Sequence, residues 1–136
     1  MKMFQAMQVS ASGLTAERLR LDLIASNIAN AHTTRTETGE PYRRKTAVFA
    51  AVLAEAGQAG EGVRVTAIRT DPTEPRLEYD PTHPDANEEG YVAYPNINVV
   101  QEMVDLVTAV RSYEANVTVL NAGKNMFLKA LEIGRG

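Results

Sequence analysis

The chain has no cysteine, which excludes disulfides, thiolate metal sites and a cysteine nucleophile and leaves the redox compartment open. Histidine is nearly absent as well. Of the two, His83 stands between Asp80 and Asp85, a grouping that could suggest a metal site, but Pro81 and Pro84 in the same six residues spell a turn. Neither histidine has a serine and a carboxylate placed for a relay, and there is no glycine-rich phosphate loop and no H-E-x-x-H. Long apolar runs are missing too. The longest, residues 47–54, is closed by Glu55 and falls far below the roughly 18 residues that span a bilayer. Residues 1–8 carry one lysine and lack the apolar core of a cleavable signal peptide. These absences together lead us to expect no enzyme, no cofactor, no bound metal and no direct membrane insertion.

What is present is an ordinary folded composition, 44 % hydrophobic and 23 % charged over 136 residues, enough for one domain with extensions. The net charge of −3 is unevenly spread. Residues 1–46 carry seven basic and four acidic side chains, residues 47–96 three and nine, and residues 97–136 four of each. A basic start and an acidic middle suit complementary surfaces on stacked subunits, although most single charges simply keep a face solvated. The only basic cluster, Arg43-Arg44-Lys45, reads as a solvated edge or a subunit contact. No basic stripe of the kind nucleic acid requires exists.

The strongest pattern lies in residues 98–133. Met103, Val110, Val117, Lys124 and Leu131 recur every seven residues, and Leu106, Tyr113, Leu120 and Phe127 form a second column offset by three. The stretch holds no proline, so the spacing predicts one amphipathic helix with a coiled-coil seam, on which Lys124 would fix the register. At 1.5 Å per residue that helix is about 54 Å long, whereas a compact globule of this chain length is roughly 37 Å across. The helix would overhang its own domain. Val99, Val100, Met103, Val104, Leu106, Val107 and Val110 also spread over about 160° of its circumference, a wider arc than one partner helix covers.

A matching column, Met7, Leu14, Leu21 and Ile28, predicts a second helix over residues 3–31 that runs on through Gly13, at a cost of about 1 kcal/mol relative to alanine. Asn27 and Asn30 are expected to end it through side-chain hydrogen bonds that compete with the helix. Threonines 33, 34, 36 and 38, then Gly39 and Pro41, mark a boundary. Beyond it, residues 42–49 read as a strand or short buried element, residues 54–62 as a mobile loop, and residues 62–69 as a strand. Leu77 with Tyr79 and Val92 with Tyr94 read as two short strands flanking the turn at 80–85. Tyr79, Tyr91 and Tyr94 fit half-buried strand positions better than ligand stacking. Asn98 with Gln101 forms a capping-box pattern at the start of the long helix.

The fold class expected is therefore mainly α. Long N- and C-terminal helices would make an antiparallel coiled-coil module from residues 1–33 and 97–136, with a small β-rich unit inserted at 34–96. Leu14, Leu21, Ile28, Met103, Leu106, Val110, Tyr113, Val117 and Leu120 are the expected assembly contacts, with Asn27, Asn30, Asn116 and Asn121 as polar register points. A soluble helical-hairpin adaptor dimer is the alternative from another class.

Residues 12–34, and above all the Asn-Ile-Ala-Asn-Ala-x-Thr-Thr element at 27–34, resemble the N-terminal signature of bacterial flagellar rod and hook axial proteins. Residues 85, 88–96, 98–106, 113–116 and 128–131 resemble the C-terminal part of rod members of that family. Only residues 48–60 lack such support. Arg35 departs from the general pattern, in which Gly and Tyr often follow the threonines, and resembles instead the Thr-Thr-Arg of some rod members. The resemblance implies a structural subunit of the proximal rod of the flagellar basal body, needed for motility. It implies export by the flagellar type III apparatus without a cleaved signal and helical assembly with itself and other rod proteins in the periplasmic space. Terminal helices would then line the tube as an inner coiled-coil layer while the middle region forms an outer domain.

Overall fold

A computed structural model describes residues 2–52 and 62–135. The loop expected at 54–62 lies, except for its last residue, outside the described residues. Two helices carry most of the chain. Helix α1 spans Lys2–Ala29 and helix α2 spans Val99–Arg135, about 42 Å and about 55 Å long at 28 and 37 residues. Between them in sequence stand strands β1 (Lys45–Val52), β2 (Gly62–Thr70), β3 (Arg76–Tyr79) and β4 (Tyr91–Tyr94). They form two separate antiparallel pairs, β1 with β2 and β3 with β4.

Helix α1 passes straight through Gly13, and the reason is packing. A side chain there would meet the Asn116 amide, its nearest atom 2.9 Å from the would-be Cβ. The helix stops at Ala29, two residues short of the expected end. Asn30 closes it as expected, with its side-chain Nδ2 donating to the Ser26 carbonyl at 2.8 Å. Asn27 does not act as a stop. Its amide reaches out of the helix, for reasons given below.

Helix α2 opens on Asn98, whose Oδ1 accepts from the Gln101 backbone N–H at 3.2 Å. The reciprocal half of the expected capping box is missing, because the Gln101 side chain turns down the helix and donates to Asp105 at 3.1 Å. The two helices pair antiparallel. Phe4 meets Phe127 edge to face with ring centroids 5.4 Å apart, Met7 lies against Gly123, Gly13 against Asn116, and Asn27 against Glu102.

The β1–β2 hairpin lies against α1, joined at both ends. At one end the Val63 N–H donates to Ser12 Oγ at 3.0 Å, and Ser12 in turn donates to the Val9 carbonyl at 2.7 Å. Gly62 sits at φ 120° beside this contact, where any Cβ would run into the Ser12 side chain. Pairing runs from Lys45 opposite Thr70 to Val52 opposite Gly62, with a register shift between Val48 and Phe49. The smaller β3–β4 pair encloses a loop of turns over residues 80–90. Thr34 just past α1 donates its hydroxyl to Asp85 at 2.7 Å, which ties that loop to the helix end.

Candidate assembly surface

The stripe of α2 that faces α1 is Glu102, Leu106, Ala109, Tyr113, Asn116, Leu120, Gly123 and Phe127, alternating by four and three. Glu102 is 1 % exposed and Ala109 fully buried, while Leu106, Tyr113, Asn116, Leu120, Gly123 and Phe127 are half-buried. One expected column, Leu106 to Phe127, is thus on the inner face. The other is not. Met103, Val110, Lys124 and Leu131 are exposed, and only Val117 of that column is half-buried. Lys124 therefore cannot set the pairing of α1 with α2; its neighbour Gly123 occupies the inner position. The cause is size: the inner face needs small or hydrogen-bonding side chains where the helices approach closely, and a search for large apolar repeats passes over them.

The outer face carries large apolar side chains as well, most densely in its first three turns. Val100, Met103, Val104, Val107 and Val110 form a continuous exposed stripe, with Met103 51 %, Val107 55 % and Val100 71 % accessible. Val119, Met126, Leu128, Leu131 and Ile133 extend exposed apolar surface toward the C-terminus, and the last residues of α2 run past the point where Phe4 meets Phe127. Scattered single apolar side chains are normal on a surface, whereas a contiguous stripe of this kind is a candidate protein contact.

The remaining expected positions divide between interior and surface. Leu14, Leu21 and Ile28 are half-buried, and Asn121 is exposed. Asn27 is 1 % exposed and satisfied wholly within the chain. Its Nδ2 donates to the Lys45 carbonyl at 2.9 Å and to Glu102 Oε2 at 3.4 Å, while its Oδ1 accepts from the Lys45 N–H at 3.0 Å and the Tyr42 hydroxyl at 2.9 Å. All four hydrogen-bonding valences of the amide are filled. Ser26 completes the group, 3.2 Å from the Tyr42 hydroxyl oxygen.

The same junction holds Glu102, which the sequence does not mark, and Arg44, which it marks for a different place. Glu102 sits in the first turn of α2, where a carboxylate also suits the helix dipole. Arg44 of the connection leading into β1 donates its Nε to Glu102 Oε1, and its Nη2 lies 3.7 Å from Asp105. Arg44 is thus part of neither a solvated edge nor a subunit contact, the two places expected for its basic cluster, but of an ion pair inside the chain. The signal that could have found it was a lone acidic residue, Glu102, on the buried side of a helix wheel. No buried side-chain polar atom is left without a partner among the described residues. Among the same residues no group of three or more acidic, histidine or cysteine side chains clusters in a way that could hold a metal, and no helix is long and apolar enough to cross a membrane.

A bundle of two terminal helices with an uncovered apolar face defines a subunit class rather than a reaction centre, and comparison with known proteins gives that class. The flagella basal body rod protein family matches residues 7–35, and the C-terminal family of flagellar basal body rod FlgEFG proteins matches residues 88–133. Flagellar basal-body rod protein FlgC of Bacillus subtilis is 49 % identical over 150 residues, covering 99 % of this chain and all of the relative. The proteins of the same name from Borreliella burgdorferi and Salmonella typhimurium are 44 % and 42 % identical, over 100 % and 99 % of this chain and all of each relative. The chain belongs to the FlgC family of flagellar basal-body rod proteins, structural rod subunits of the flagellum.

Proposed function

We propose that this subunit builds the proximal rod by helical self-assembly and by contact with other rod proteins, packing its terminal helices as coiled coils to carry torque. The observation that carries the reading is the outer stripe of α2 from Val100 to Val110, which α1 leaves uncovered. A stripe on one face and a different surface on its neighbour make heterologous contacts, the geometry of open helical assemblies rather than closed dimers. In this reading residues 1–33 and 97–136 form the rod-core module and residues 34–96 the outer unit. Of the expected assembly residues, Met103, Val110 and Asn121 belong to the outer face, whereas Asn27, Asn116 and the Leu106 column support the subunit itself. The rod would lie in the periplasmic space, reached through the flagellar type III export apparatus without removal of a signal peptide.

The test is substitution on the outer face with export measured separately. Val107→Asp combined with Val110→Asp is expected to leave export intact, to remove the protein from detergent-extracted basal bodies and to abolish swimming. Normal swimming with normal recovery in basal bodies would overturn the proposed contact. Hydrogen exchange of the free subunit gives a second measurement, with poor protection expected in the part of α2 beyond Phe127. A monodisperse dimer with strong protection at both chain ends would favour a discrete adaptor instead.

A further inference from the structure

The inner stripe of α2 consists of two columns of different character. Leu106, Tyr113, Leu120 and Phe127 are all large and mainly apolar, and a slide of α2 by one heptad along α1 keeps at least three of their four places so. One direction would bring Val99, Leu106, Tyr113 and Leu120 to the same four places, and the other Tyr113, Leu120, Phe127 and Gly134. The apolar column alone barely distinguishes the first slide and opposes the second only through the lost Phe4–Phe127 contact.

The other column, Glu102, Ala109, Asn116 and Gly123, has four different residues, and three have a distinct partner: Glu102 meets Asn27 and Arg44, Asn116 fills the space over Gly13, and Gly123 admits Met7. A slide one way puts Ala109 opposite Asn27, leaving Arg44 without its buried partner, Gly123 opposite Gly13, leaving a void, and Ala130 against Met7. Its new Cβ would fall about where one added to Gly123 lies, 3.0 Å from Met7 Cγ. The opposite slide brings Pro95 to the place of Glu102 and the Asn116 amide against the Met7 side chain. Both alternatives cost hydrogen bonds or packing that the apolar column cannot return.

We propose that the column Glu102, Ala109, Asn116 and Gly123 encodes the register of the helix pair, and that Glu102, read by Asn27 from α1 and by Arg44 from the hairpin connection, is its dominant position. Polar seam residues that select register at some cost in stability have this physical basis. Because Arg44 belongs to the segment entering β1, the same contact makes the docking of the hairpin and the choice of register one event. A slipped subunit would present the outer stripe of α2 displaced by about 10 Å along the helix axis. The inference stands on contacts within one chain and does not depend on the rod reading.

The absence of cysteine allows a direct measurement on the full chain. Spin labels at Arg18→Cys on α1 and Asn125→Cys on α2, both exposed, are offset along the axis, so a slide in either direction lengthens or shortens their separation. The parent chain is expected to give one distance. Glu102→Leu, and more strongly Glu102→Leu with Asn116→Leu, is expected to add a second distance in about a tenth or more of molecules, offset by about 10 Å of axial travel. A single parent-like distance in the helical double variant would overturn the proposal. If loss of Glu102 abolishes folding, Asn116→Leu alone decides by the same reading: a second distance supports the register code and a single one refutes it.

Discussion

The two faces of α2 differ in variety more than in apolar character. Toward α1 it presents glutamate, alanine, asparagine and glycine between its larger apolar residues; away from α1 it presents valines and a methionine to open surface. In an isolated globular protein the second face would be the core and the first a compromise. In a subunit of an assembly the interior can be polar and specific because its partners come from the same chain. On the proposed reading the outer face is apolar because other chains cover it.

The sharpest way to break this comparison is Glu102→Ala. It removes the closer partner of Arg44 and one acceptor of the Asn27 amide from a site 1 % exposed, and a loss of about 2–4 kcal/mol in urea unfolding is expected, since Arg44 retains Asp105 and some access to water. A change below about 1 kcal/mol would mean that the junction is not the polar centre of the fold. Ile24→Ala, a purely apolar truncation at a buried α1 position, is expected to cost about 2–4 kcal/mol in the same experiment. On the outer face the prediction reverses. Val107→Asp should change the stability of the free subunit by no more than about 0.5 kcal/mol, because the side chain is already in water, even though incorporation into basal bodies fails.

The smallest effect concerns pH. Asp71 follows β2 and its Oδ1 accepts from the Thr73 hydroxyl at 2.5 Å and from the Thr73 N–H at 2.8 Å. The hydroxyl first and the N–H second hold this carboxyl below its ordinary value, with Arg44 and Arg43 adding to the pull. A lowered folded value gives stability that is fully present above the ordinary carboxylate range and is lost as pH falls through the folded value. The difference in melting temperature between the parent and Asp71→Asn should be small and constant at neutral pH, and should shrink on acidification below that range. A gap that widened in acid would contradict the assignment.

Both helices, their antiparallel pairing by common period, and the four strands were legible in the sequence within a few residues. Period-seven and period-two spacings report directly on the type and extent of an element, though not on which of its apolar columns is buried. The β1–β2 pairing register, with its shift at Val48 and Phe49, was not legible, because a long alanine- and glycine-rich connection, unlike a two-residue turn, does not pin strand partners. The site was legible in part. The Leu106 column and the wide apolar arc pointed to the right helix, but Met103, Val110 and Lys124 were placed on the seam, whereas in the folded chain they face outward. Arg44 looked like any basic residue beside two others until its guanidinium met Glu102 across 58 positions of sequence.

Asn27 shows where local information ends. Near the end of a helix an asparagine reads as a stop, and Asn30, three residues on, is one. Which of the two reaches the Lys45 backbone depends on the angle at which the hairpin docks, and only tertiary structure sets that angle. The sequence by itself determined two long amphipathic helices, a β insertion between them and more apolar surface than one chain can cover, because periodicity and composition are properties of the chain. The tertiary structure decided which stripe turned inward, because close approach selects for fit and hydrogen bonding, and those belong to pairs of residues that only the fold brings together.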